Sequence, residues 1–203
     1  VFVLPGFLAM SVMFTALFSA ISIVWDREFG FLKEVMVAPV SRIAVVLGKV
    51  AGGSTVALFQ GALVLLLSPL LGISLIFGQI VSLIGLMLLL AAMITAFGIL
   101  IASRQKSMEG FQMIMNFIML PLFFLSGALF PLRNTPTWMR IISMIDPITY
   151  GVDPLRAVTL QNTASPAALE NLTRHTVGFN VLIMAGIFIV FIIPAAWLFS
   201  RRE

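Results

Sequence analysis

Four hydroxyl side chains, Ser11, Thr15, Ser19 and Ser22, recur at spacings of four, four and three residues. A helical period of about 3.6 places them on one face. A second set, Gln112, Asn116, Met119, Phe123 and Ser126, keeps the same spacing further along. In an apolar setting such stripes have two uses. They line a path for a polar or amphipathic solute, or they pack against another helix with hydroxyls bonded to their own backbone. Spacing alone leaves both open. Catalytic chemistry is poorly supplied. Cysteine is absent, and the single histidine, His175, has no second histidine or cysteine with which to build a metal site or a nucleophilic dyad. The Gly48-Lys49 pair has Ile43 and Val50 where a phosphate-binding loop needs a glycine and a hydroxyl. The chain is therefore expected not to be an enzyme, to bind no metal and to hold no cofactor of its own.

The elements that must position these residues follow from composition. Of 203 residues, 61% are hydrophobic and 10% charged, with a mean hydropathy of +1.14. Soluble domains carry about a quarter charged residues, so the setting is a membrane. Charge-free runs cover 1–25, 50–103, 110–132 and 176–200, and about 20 residues cross the hydrocarbon core as a helix. The second run holds two spans, broken near Pro69, Gly72 and Gly78. The expected fold is all-α and polytopic: one transmembrane domain over 1–203, with spans near 1–25, 50–71, 79–102, 111–132 and 177–200. No acidic or basic residue is expected inside any span. That counts against an ion-coupled carrier, which usually needs a buried ionisable group.

Residues 26–49 hold seven charges in an otherwise uncharged half of the chain. Phe31, Leu32, Val35 and Met36 recur there at helical spacing, predicting a short amphipathic helix over about 28–37 that Pro39 ends. Ser41 is placed to cap the following helix. Mixed charge signs leave two readings open, docking of a soluble protein or anchoring at lipid headgroups. With this loop inside the cell, eight Lys and Arg flank the inner ends of the spans against four on the outer side, which places the N-terminus outside and the C-terminus in the cytoplasm. An outside start on Val1 points to one earlier span preceding this sequence. The net charge of +4 is explained by these flanking positions and requires no nucleic acid. On the outer side, Trp138, Ile141, Ile142 and Ile145 form an i, i+3, i+4, i+7 stripe predicting a helix of about ten residues, too short to cross. Asp153 followed by Pro154 is expected to start another helix, carrying Arg156 toward the interface.

The ordered pieces "LPGFLAMSVMF", "REFGFLKEVMVAPVSRIAVVLGK", "LSGALFPL" and "PTWMRIISMIDPITYGVDPLR", with a last span ending on basic residues, resemble the membrane permease of ABC-2 type ABC transporters, nearest the drug-resistance and antibiotic-export branch. Such permeases have six spans, so the resemblance implies that five are present here. It implies that Glu28, Phe29, Gly30, Phe31, Leu32, Lys33, Glu34, Val35, Met36 and Pro39 form the coupling helix that an ABC ATPase subunit grips, with ATP and Mg on that partner. It implies a second permease copy or paralogue, with the first and fourth visible spans facing a shared path through the bilayer of a prokaryotic plasma or inner membrane. Segment 133–176 would be a re-entrant pair of short helices at the outer mouth, with Trp138, Arg140, Ile141, Ile145, Asp153 and Arg156 at the gate or interface. The implied function is ATP-driven export of an amphipathic or lipid-like substrate. A secondary exporter and a non-transporting membrane scaffold remain the alternatives.

Overall fold

A computed structural model describes residues 3–30, 41–105, 107–130, 135–163, 165, 169 and 172–201. Among these the chain is helical, without strands. The elements are α1 (Val3–Ser19), α2 (Ile21–Glu28), α3 (Arg42–Leu66), a 3-10 turn (Ser68–Leu71), α4 (Phe77–Ala102), α5 (Met108–Leu125), α6 (Thr137–Ile145), α7 (Pro147–Leu160) and α8 (Val177–Arg201). Five helical stretches are long and apolar enough to cross a membrane: Val3–Glu28, Arg42–Leu66, Phe77–Ala102, Met108–Leu125 and Val177–Leu198. The expected all-α polytopic architecture is what the chain adopts.

The bounds have local causes. Ser41 accepts a hydrogen bond from the Ala44 amide at 3.2 Å, as its expected capping role requires, so α3 starts at Arg42 and carries Lys49 two turns in, before the apolar stretch near 50. Helix runs outward past the apolar stretch at this end, taking Asp26, Arg27 and Lys49 with it. Gly72, at φ 74°, closes the turn between α3 and α4 in the left-handed region that glycine adopts without strain. Gly127, at φ 78°, lies in the turn after α5, which ends at Leu125, short of the expected 132.

One correction concerns α7. It begins at Pro147, not at Pro154, because Asp146 supplies the cap by accepting from the Ile148 amide at 2.9 Å. Two Asp-Pro pairs carry the same start signal, and the earlier one sets the helix. Asp153 and Pro154 then lie inside α7, which buries both residues together with Arg156.

The span formed by α1 and α2 is interrupted at Ala20. The Ala16 carbonyl, which Ala20 would normally use, accepts from the Ser19 hydroxyl at 2.6 Å and the Thr95 hydroxyl at 3.3 Å. The Ala20 amide bonds Leu17 instead, at 3.0 Å. Hydroxyl competition for a backbone acceptor thus breaks the helix without a proline.

Helix α4 is the centre of the bundle. It packs against α1, α3, α7 and α8 and buries Leu83, Met87, Leu90, Ile94 and Ile99 completely or nearly so. Small residues allow the approach: a Cβ on Gly98 would lie 2.7 Å from the Ala20 Cβ, nearer than two carbons can come. The outward faces of α3, α5 and α8 expose Phe59, Phe117 and Leu182, as a lipid-facing surface requires. The end of α2, the start of α3 and the α4–α5 connection share one end of the bundle, the loop end. The turn between α3 and α4, helices α6 and α7, and the start of α8 form the far end.

Gly98→Val is expected to destabilise the protein by about 1–3 kcal/mol through overpacking, read as a lower unfolding temperature in detergent. Gly85→Ala, where an added Cβ meets nothing within 4 Å, should leave that temperature unchanged or raise it.

Candidate functional site

At the loop end, Asp26 and Arg27 stand side by side near the end of α2 and reach in different directions. Asp26 accepts from Lys49 Nζ of α3 at 2.5 Å, and the same ammonium donates to Ser22 at 3.1 Å. Arg27 donates to the Gln105 and Ser103 carbonyls at 2.6 and 3.1 Å. Those carbonyls follow α4, where the helix dipole concentrates negative potential and an arginine is favoured. The two residues that begin the charged loop thus tie three helices together at its base. Above the clamp lies a groove of about 460 Å³ lined by Ser19, Ser22, Val45, Gly48, Lys49, Gly52, Gly53 and Val56.

Of the residues expected to couple to an ATPase, Glu28 ends α2, Phe29 is exposed, and Gly30 turns the chain at φ 78°. Phe31, Leu32, Lys33, Glu34, Val35, Met36 and Pro39 lie outside the described residues.

The stripe on the first span divides by partner. Ser11, Thr15, Ser19 and Ser22 are all half-buried, on the side of the helix that the core leaves partly uncovered. The Ser11 and Ser19 hydroxyls donate to their own helix, at Leu8 and Ala16, and Ser22 receives Lys49. On α5 the stripe changes environment along its length. Gln112 and Asn116 are exposed, whereas Met119, Phe123 and Ser126 are buried, and Phe123 meets Phe14 of α1 edge-on at 6.5 Å. Two polar residues therefore face outward at mid-helix on α5, and the apolar remainder packs.

At the far end the six expected gate residues separate into two groups. Trp138, Arg140, Ile141 and Ile145 are exposed on α6. Asp153 and Arg156 are buried on α7, with 5% and 3% of their surfaces accessible. The Asp153 carboxylate accepts from the Arg174 and His175 amides at 2.9 and 3.0 Å and from Asn180 Nδ2 at 2.9 Å, so it fixes the approach to α8. Arg156, less than a turn on, donates to the Gly127 carbonyl at 2.6 Å and holds the turn after α5. Burial lowers the Arg156 pKa to about 10, and the neighbouring Asp153 charge opposes that shift. Gln79 completes the tie, donating to the Val158 carbonyl at 2.9 Å and accepting from Asn162 at 3.1 Å.

Sequence reasoning did not find Asn180, Gln79, Arg27 or Lys49. Asn180 and Gln79 each stand near the start of an apolar helix, which is the one signal they gave. A polar amide in that position must find a partner or cost free energy.

The family model for the ABC-2 type transporter matches residues 1–160. The chain belongs to the ABC-2 type transporter family. A relative from Cyanophora paradoxa, named as a transport permease (ycf38), is 35% identical over 158 residues, covering 76% of this chain and 54% of its own length. The "Inner membrane transport permease YadH" of Escherichia coli K12 is 29% identical over 76% of this chain and 60% of its own length. The "Probable multidrug ABC transporter permease YbhR" of the same strain is 26% identical over 80% and 45%. This ABC-2 type chain spans about half the length of the curated relatives it matches.

Asp153→Ala would leave two amides and the Asn180 side chain without their acceptor in the protein interior. A loss of about 3 kcal/mol or more is expected, read by thermal unfolding in detergent, and Asp153→Asn should lose less. Asp146 gives a pH test. Burial raises its pKa from 3.8 to about 7, against the lowering effect of bonds from Ile148 and Thr149. The folded state therefore holds this proton more tightly than the unfolded state. The stabilising contribution is complete below about pH 4 and is lost as pH rises through 7. Asp146→Asn should flatten that part of the stability profile while keeping the cap.

Proposed function

We propose that this chain is the transmembrane part of a permease in an ATP-driven exporter. ATP is hydrolysed on a separate ABC ATPase subunit, and a second permease copy or paralogue completes the path. Family membership over residues 1–160 supports this reading, as does the printed name of YbhR, which includes the words ABC transporter. The observation that carries the mechanism is the clamp at the base of the charged loop. Through Asp26–Lys49 and Arg27–Ser103, a push on residues 28–39 passes directly into α2, α3 and α4. A loop whose two flanks were free would absorb such a push.

In this reading the outward-facing Gln112 and Asn116 of α5, and the partly uncovered hydroxyl face of α1, line the path between two permease copies. The substrate class that suits them is amphipathic or lipid-like, since Phe14 shares the partly uncovered face of α1 and the exposed Met113 and Phe117 adjoin Gln112 and Asn116. Export runs away from the loop end, which lies in the cytoplasm of a plasma or inner membrane by the eight-to-four distribution of Lys and Arg.

Affinity purification of the full-length protein from its native membrane should bring down a subunit with a phosphate-binding loop in stoichiometric amount. Glu34→Arg should abolish that association while leaving the protein inserted, whereas Lys49→Met should keep the association and uncouple ATP hydrolysis from transport. Purification without an ATPase under mild detergent would overturn the reading.

A further inference from the structure

The far end contains a second cavity, of about 630 Å³, lined by Arg140, Met144, Tyr150, Arg174, His175 and Phe179. Three separate elements meet there: Arg140 and Met144 come from α6, Tyr150 from α7, and Arg174 to Phe179 from the lead into α8. Its size is that of a small-molecule site. We propose that this cavity binds the phosphate of an anionic lipid headgroup.

The charge on its wall is one-sided. Among the described residues, two guanidiniums face the cavity and no carboxylate lines it. The nearby Asp153 sits behind the wall, occupied by the Arg174 and His175 amides and by Asn180. Among the described residues Arg140 is exposed and its side chain makes no hydrogen bond or ion pair. Arg174 is held from one side only, donating Nη1 to the Ser143 hydroxyl at 2.8 Å, which fixes the plane of the guanidinium and leaves further donors. A planar guanidinium with donors to spare matches phosphate oxygens and binds them bidentately.

The rest of the wall is formed by Met144, Tyr150, His175 and Phe179. His175 stacks on Phe179 at 4.8 Å between ring centres, and the Tyr150 hydroxyl is anchored to the Met144 carbonyl at 2.7 Å. Such a wall suits the glycerol and first methylenes of a lipid better than a bare, strongly hydrated anion. The placement agrees. Helix α6 leaves Trp138, Ile141, Ile142 and Ile145 exposed, an unpartnered apolar stripe with a tryptophan that belongs at the bilayer surface. Arg140 lies on the opposite side of the same short helix. The inference needs a bilayer but no cargo, and so stands apart from the transport reading.

The test is native mass spectrometry of the full-length protein in detergent, incubated with phosphatidylglycerol, phosphatidylcholine or inorganic phosphate. Phosphatidylglycerol should be retained preferentially. Arg140→Gln removes a side chain that holds nothing in the described fold, and retention should fall about tenfold for one lost charged hydrogen bond. Arg104→Gln, an exposed arginine at the loop end, should change nothing. Equal retention of the two lipids, or equal losses from the Arg140 and Arg104 variants, would overturn the proposal. Displacement of the lipid by inorganic phosphate at matched concentration would overturn the lipid as occupant and leave a simple anion site.

Discussion

Close approach of helices to α4 is the condition on which the rest of the molecule depends. In hydrocarbon there is no water to expel, so helices gain little from burying leucine against leucine. They gain from dispersion contacts that small residues make possible and from polar groups that find partners. Gly98 lets Ala20 and Leu17 reach the axis of α4, and Gly151 lets α7 settle on Leu90. Thr95, one turn below Gly98, uses that proximity to bond the Ala16 carbonyl of α1. The same contact that joins the two helices also breaks α1 from α2.

From this axis the two ends acquire different characters. At the loop end the described polar contacts are charged and partly exposed: an ion pair, an ammonium on a hydroxyl, and an arginine on the carbonyls just after α4. Exposed pairs of this kind are individually weak and can rearrange. At the far end the polar contacts are buried and convergent. Asp153 and Arg156 each gather donors or acceptors from segments that are distant in sequence, and removing either partner from such a node is costly. The far end is built to hold its shape.

The stripes show why spacing could not assign a role. Ser11 and Ser19 share a face with Thr15 and Ser22, as their period dictates, yet two of these hydroxyls bond inward and a third serves an ion pair. Gln112 and Asn116 lie on one side of α5 with Met119 and Phe123, but the first pair is exposed and the second is covered. A face is a property of one helix, whereas its environment is a property of the bundle.

The sequence by itself determined the class, the number of candidate spans and the Ser41 cap of α3, because membrane insertion depends on apolar length and that cap is a contact between residues three apart. It also carried the ordered motifs by which the family could be recognised. Only the tertiary structure decided which Asp-Pro pair opens α7, that Asn180 and Gln79 serve buried nodes, and that Arg140 and Arg174 share a cavity. The reason is the same in each case. These outcomes depend on donors and acceptors dozens of residues apart, and no local pattern records which of them the packing of helices will bring together.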